Sequence, residues 1–292
     1  MEINIKSLNK NYGNKQALKD INLKIEKGMF GLLGRNGAGK STLMKILATV
    51  LRKSSGDITV CNINIENSKD IREIIGYLPQ DFSMYGNMTA VEALDYIGVL
   101  CGLDKKTRKE RIPKLLSKVN LGNNGRTKVK AMSGGMKRRL GIAQALINNP
   151  KVIIVDEPTA GLDPEERVRF RNLLCEMAED RIVILSTHIV GDIEAACEKV
   201  AILDEGNIIF NGSVFDLLEM AKGKIYEAVI SRFELSKIKE KYNVTSMINE
   251  GTLVKVRFVA KEEDKIIKDA VLCEPNLEDA YMYLMSLKGG DK

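Results

Sequence analysis

The chain has 292 residues, a formal net charge of +6 and a single histidine, His188. That histidine count excludes metal sites built from several imidazoles, and any hydrolytic triad would have to use His188 itself. The five cysteines are odd in number and form no C-x-x-C pair, so a disulfide framework or a four-cysteine zinc site is not expected, and reduced thiols in a cytosolic protein fit better. The first residues alternate polar and apolar without the apolar core of a signal peptide. No apolar run reaches the roughly 18–20 residues of a membrane-spanning helix, so the chain is not expected to cross a bilayer by itself.

In chain order, Ile21, Leu23 and Ile25 alternate with polar residues, as in a strand with one buried face. The apolar stretch Phe30–Leu33 leads into Gly34–Ser41, and a helix-forming run follows to Leu51. Residues 85–147 have a different texture and are expected to be an all-helical insertion. Thr89-x-x-Glu92 is a capping box for a helix through Leu100. A second helical pattern runs from Lys105 to Val119, and a third follows Ser133. Val152–Val155 and Ile182–Leu185 are short β-branched runs of the kind found in central strands covered on both faces. Between them Asp163-Pro164-x-Glu166 opens a helix, with Asp at N-cap and Pro at N1. Asp204–Asn207 reads as a hairpin turn between strands at Val200–Leu203 and Ile208–Phe210.

This alternation of strands and helices implies an α/β fold with a mainly parallel sheet. An antiparallel β region is expected at its N-terminal side. Near Lys222 the texture changes. The reading divides the chain into residues 1–222, the α/β core with its helical insertion, and 223–292, a small α+β appendix. The appendix is expected as a strand, a helix over Leu235–Tyr242, strands over Val244–Ile248 and Leu253–Val259, a helix over Glu262–Ala270, and a last helix near Asn276.

Gly34-Arg35-Asn36-Gly37-Ala38-Gly39-Lys40-Ser41 matches G-x-x-x-x-G-K-[ST] in the strand–loop–helix setting that the motif requires. Glycines let the backbone wrap closely, so that successive N–H groups point at phosphates, and the helix N-terminus adds positive potential. Lys40 is placed to reach the β- and γ-phosphates and Ser41 to ligate Mg²⁺. Asp156 and Glu157 end an apolar strand, at the sheet edge where α/β folds bind ligands. Asp156 is the candidate Mg²⁺ holder and Glu157 the group that polarises the attacking water.

Met132-Ser133-Gly134-Gly135-Met136, 23 residues ahead of Asp156 in its Ser133, resembles the L-S-G-G-Q signature of ATP-binding cassette (ABC) proteins. Met132 replaces the usual leucine and Met136 the usual glutamine. Over residues 1–220 other positions are similar to that family in order and spacing. The resemblance implies nucleotide contacts from Gly34, Asn36, Gly37, Ala38, Gly39, Lys40, Ser41 and Thr42, with Tyr12 stacking on adenine. It makes Gln80, in Tyr77-Leu78-Pro79-Gln80, a sensor of Mg²⁺ and γ-phosphate. Ala160–Asp163 is similar to the loop that crosses to a partner subunit, and His188 to the switch histidine on the γ-phosphate. Catalysis would rest on Glu157, His188 and Gln80, and the metal on Ser41, Gln80 and Asp156.

In that family Ser133, Gly134 and Gly135 act on the nucleotide of a second cassette. Two cassettes, from a homodimer or a related subunit, would therefore sandwich two ATP molecules. The resemblance implies an ATPase using ATP and Mg²⁺ that drives a separate integral membrane permease, from the cytoplasmic side and peripheral to the inner face of the cell membrane. Glu274–Tyr281 resembles the ending of single-cassette ATPases of ABC-2-type exporters, the drug and antimicrobial-peptide efflux type. The alternative is a soluble ABC ATPase acting on ribosomes or DNA. Translation-associated members usually carry two cassettes and the DNA-repair types a long coiled coil, and neither is present here. No direct nucleic-acid partner is expected, since +6 is too diffuse for a nucleic-acid footprint. A GTPase is disfavoured by the absence of an N-K-x-D motif.

Overall fold

The computed structural model describes all residues except 160, 261–266, 268 and 290–292. The chain forms two compact units, Met1–Asn211 and Gly212–Lys292. The first opens with strands β1 (Glu2–Tyr12) and β2 (Lys15–Glu26), then β3 (Gly28–Leu33) and helix α1 (Lys40–Leu47). Next come β4 (Ser55–Val60), β5 (Ile63–Asn64), α2 (Ser68–Ile74) and β6 (Ile75–Leu78). Strands β1 and β2 pair antiparallel with Ile3 opposite Ile25 and Ile5 opposite Leu23. All four of these side chains are buried, so the alternation read in the sequence is the inward face of a four-stranded sheet of order β2-β1-β4-β5. Helix α1 is shorter than the helix-forming run suggests. Thr49 has φ +56°, and the N–H groups of Val50 and Leu51 turn back to the Lys45 carbonyl, which closes the helix before Leu51.

The insertion contains α3 (Ala90–Leu100), α4 (Lys105–Lys118) and α5 (Gly134–Ala145). Thr89 and Glu92 form the reciprocal capping box. Asp104 caps α4 through the N–H groups of Lys106 and Thr107, and Ser133 caps α5 through Met136 N–H. The chain then re-enters the core as β7 (Val152–Asp156), α6 (Pro164–Ala178), β8 (Ile182–Thr187), α7 (Val190–Ala196), β9 (Lys199–Asp204) and β10 (Asn207–Ser213).

These strands form a six-stranded sheet of order β10-β9-β3-β8-β7-β6. The pairs β6–β7, β7–β8, β8–β3 and β3–β9 are parallel. Every residue of β7 and β8 is buried, as their β-branched composition requires. Parallel strands place all their carboxyl ends on one edge, and the glycine-rich loop, Gln80, Asp156 and His188 follow there from β3, β6, β7 and β8. The β9–β10 hairpin turns at Glu205 and Gly206, both with positive φ.

The second unit contains α8 (Val214–Ala221), β11 (Ile225–Ser231), α9 (Leu235–Lys241), β12 (Asn243–Glu250), β13 (Leu253–Val259), β14 (Val271–Leu272) and α10 (Leu277–Gly289). Its antiparallel sheet has the order β12-β13-β11-β14. Phe258, Val256, Ala228, Ile230 and Tyr242 form its core. The helix expected over Glu262–Ala270 lies largely outside the described residues, and the two-residue β14 was not expected. Asp279 is buried and accepts from Thr245 Oγ1, Arg257 Nη2 and Asn276 N, while Asn276 Oδ1 accepts from Asp279 N. The Glu274–Tyr281 segment thus caps α10 and ties it to β12 and β13.

Gly76 on β6 lies against the end of α5, where a Cβ would sit 2.1 Å from the Ala145 carbonyl oxygen. Gly191 in α7 has no atom within 4 Å of the corresponding point. Gly76→Ala is expected to lower stability by about 1–3 kcal/mol, and Gly191→Ala not to lower it. Chemical denaturation of both variants checks the difference.

Candidate nucleotide site

Two glycines of the Gly34–Ser41 loop are required by space. At Gly34 a Cβ would lie 2.2 Å from the Leu203 carbonyl oxygen, and at Gly39, with φ +112°, 2.8 Å from that of Ala17. Gly39 is the N-cap of α1 and offers no side chain to the helix N-terminus. The first main-chain bond of the helix is Leu43 N–H to the Gly39 carbonyl. The N–H groups of Lys40, Ser41 and Thr42 therefore have no partner within the helix and stand ready for an anion.

A cavity of about 740 Å³ opens over this terminus. Its lining brings together Tyr12, Asn36, Gly37, Gly39, Lys40, Ser41, Thr42, Gln80 and Glu157 from distant parts of the sequence. Ala38 is buried beneath the loop, and its carbonyl accepts from Gly206 N–H. Tyr12 ends β1 and is 48% exposed, with the Lys10 ammonium 5.0 Å over its ring. Lys15, Gln16 and Ala17, just past the β1–β2 turn, also line the cavity, as do Lys19, Glu205 and Gly206. Sequence reading missed these residues. The signal available was the hairpin itself, which returns β2 past Tyr12.

Lys40 is buried. Its Nζ donates to the carbonyls of Gly34 at 2.7 Å and Arg35 at 3.2 Å, and lies 3.4 Å from Glu157 Oε1. Glu157 Oε1 is within ion-pair range of Lys40 but not aligned for a hydrogen bond. Glu157 Oε2 is 2.8 Å from His188 Nδ1, which donates when Nδ1 carries the proton. Glu157 has φ +49°, a conformation that costs a non-glycine residue energy. It is held there by its N–H on the Ser186 carbonyl. The lysine, the proposed base and the proposed switch are thus one connected cluster.

Beneath the cluster, Asp156 sits in register with Ser186 on β8. Asp156 Oδ1, Ser186 Oγ and Tyr77 Oη are buried and have no partner among the described residues. Burial, and secondarily the Asp156 charge, push the Tyr77 phenol far above its ordinary pKa, so it stays neutral. A buried carboxylate oxygen without a partner among the described residues suits a hard, hydrated cation such as Mg²⁺.

Ser133, Gly134 and Gly135 do not join this cavity. Ser133 and Gly134 are exposed, and Gly135 packs against Glu166, which also pairs with Arg139. From α5, Arg138 donates to the Pro79 carbonyl beside Gln80, which ties the signature helix to that glutamine's loop. Asp163 caps α6 through Glu166 N–H, and Ala160 of the same loop lies outside the described residues. Sequence reading also missed Asp192. Fully buried on α7, it accepts from Thr159 Oγ1 and Arg167 Nε, each at 2.6 Å. It thereby joins the segment after Glu157, the start of α6 and the helix after His188.

Comparison with known proteins agrees with this geometry. A family model described as ABC transporter matches residues 18–160. The linearmycin resistance ATP-binding protein LnrL of Bacillus subtilis is 33% identical over 269 residues, covering 91% of this chain and 82% of its own. The Nod factor export ATP-binding protein I of Cupriavidus pinatubonensis is 34% identical over 224 residues, covering 76% of this chain and 69% of its own. A solved dimeric structure of the ATP-binding cassette MJ0796, in a post-hydrolysis state bound to ADP and Pi, superposes with a TM-score of 0.66 at 26% identity, over 72% of this chain and 98% of that one. The chain belongs to the ABC transporter family and is an ATP-binding, ATP-hydrolysing cassette.

Proposed function

We propose that two such cassettes bind two ATP molecules between them and drive a separate membrane-spanning permease of the ABC-2 exporter type, from the inner face of the cell membrane. The observation that carries the dimeric part is the separation described above. Lys40, Ser41, Gln80 and Glu157 share one cavity, with His188 on Glu157, while Ser133 and Gly134 stand exposed outside it. A signature segment outside the cavity of its own chain fits a second copy, and the dimeric MJ0796 cassette supports that arrangement. Among the described residues no helix is long and apolar enough to cross a membrane. Export is supported by the Nod factor export relative, and LnrL is named for linearmycin resistance.

The proposed chemistry follows from the cluster. ATP brings phosphate oxygens to the α1 N-terminus and to Lys40. The ammonium then has a partner of higher charge than Glu157, and the carboxylate is released toward water. Glu157 orients that water and accepts its proton, while His188 and Gln80 hold the γ-phosphate side. Ser41, Gln80 and Asp156 would hold Mg²⁺, whose charge offsets the developing charge on the β- and γ-oxygens. Preorganised dipoles supply most of the remaining stabilisation. ATP can move the permease only through its different affinity for open and closed dimers.

Glu157→Gln is expected to slow hydrolysis by about 100-fold or more and to accumulate an ATP-dependent dimer on gel filtration. A variant that stays monomeric with saturating ATP contradicts the sandwich. His188→Ala is expected to lose most turnover while ATP affinity by calorimetry stays within a few-fold of the parent. Normal turnover would leave His188 with a structural role only. Pull-down from detergent-solubilised membranes should recover an integral membrane protein. Recovery of ribosomes or DNA in its place would favour the soluble ATPase.

A further inference from the structure

The charge of this protein is segregated. Residues 85–147 hold thirteen Lys and Arg against four Asp and Glu, which leaves 32 against 35 for the rest of the chain. The excess is densest on α4, whose sequence KKTRKERIPKLLSK has seven basic residues and one acidic. Helix α4 turns Ile112 and Leu116 inward. Its arginines are occupied on that side: Arg108 pairs with Asp95 and donates to the Leu103 carbonyl, and Arg111 donates to the Ile147 carbonyl. Lys105, Lys106, Lys109, Lys114 and Lys118 are exposed and form no ion pair among the described residues. They extend along about 20 Å of helix. Beside the first of them, α3 ends in exposed Val99 and Leu100, the latter 65% accessible. The two helices are held close there, with the Arg108 side chain against Gly98.

We infer that this α3–α4 corner is a docking surface for an anionic lipid bilayer, with the five lysines on headgroups and Val99 and Leu100 at the interface. Lysine is a point charge on a long flexible stem and suits mobile, laterally diffusing anions. Recognition of an acidic peptide, or of a nucleic-acid backbone held in fixed geometry, would favour guanidinium forks, and here both arginines of α4 face inward. Single-stranded nucleic acid would require aromatic platforms; α4 carries none, and the exposed Tyr85 and Tyr96 nearby pack edge to face on each other. Apolar residues flanked by lysines are the composition of an interfacial segment. The proposal does not rest on the permease reading, because the surface belongs to this chain alone.

The test uses the purified full chain and vesicles without any permease. Co-sedimentation is compared for phosphatidylcholine vesicles with and without phosphatidylglycerol, at low and high salt. Binding only to the anionic vesicles, weakened by salt, is expected. Replacing the five lysines together by Gln is expected to reduce partitioning by about 100-fold or more, with ATPase activity and melting temperature unchanged. Replacing the same five by Arg should retain binding, which separates the charge from the fold. Equal binding to neutral vesicles, unchanged binding of the Gln variant, or capture of RNA or polyglutamate in place of vesicles would overturn the proposal. None of these outcomes bears on the pull-down, so the two readings fail separately.

Discussion

Lys40 and Glu157 face each other 3.4 Å apart at the carboxyl edge of the central sheet, with side chains only 5% and 4% exposed. Removing such charges from water costs on the order of several kcal/mol per ion, and their mutual attraction offsets this only when each is also well hydrogen-bonded. Here the ammonium has the Gly34 and Arg35 carbonyls, and the carboxylate has His188. This buried charge cluster has been given just enough partners to exist without nucleotide. In the proposed mechanism, phosphate oxygens arriving at α1 take over the ammonium, because the bond they replace is an imperfectly aligned ion pair.

Much of the surrounding architecture serves that cluster. Three parallel neighbours, β3, β8 and β7, deliver Lys40, His188 and Glu157 to one edge. The close approach of Gly34 to Leu203 and of Gly39 to Ala17 brings the loop down onto them. Glu157 is kept in a left-handed conformation by the Ser186 carbonyl rather than by its own preference. Around the rim, Asp192 ties Thr159 and Arg167 together from a fully buried position. A displacement of any one of the three segments it joins is therefore felt by the others.

The insertion is organised differently. It contributes Ser133–Gly135 at one end of α5 and the basic α4 at another side, and neither is turned into the cavity of its own chain. The overall +6 hides this division, since the basic excess of the insertion is partly balanced by a slightly acidic remainder. Field strength depends on local density within about a Debye length rather than on the total, so the concentrated surface on α4 and the modest net charge are compatible.

Features governed by local rules were legible in the sequence. The Thr89–Glu92 capping box, the Asp163 cap before Pro164, the Glu205–Gly206 turn and the alternation of β2 depend on neighbouring residues or on strand period, and they occur as read. The strand–loop–helix setting of Gly34–Ser41 was also legible, because glycine spacing dictates its backbone geometry. The early end of α1 was not, since Thr49 in a left-handed conformation is a context effect that overrides helix propensity. The partners of Glu157, the role of Asp192 and the cavity wall at Lys15–Ala17 also had no local signal. Each joins groups far apart in the chain, and only the ordering of strands β10-β9-β3-β8-β7-β6 decides that they meet. The sequence by itself determined which residues carry charge, helix caps and the glycine-rich loop. The tertiary structure decided which of those charges are buried against each other and which, as on α4, are left facing water, because burial is a property of packing and not of composition.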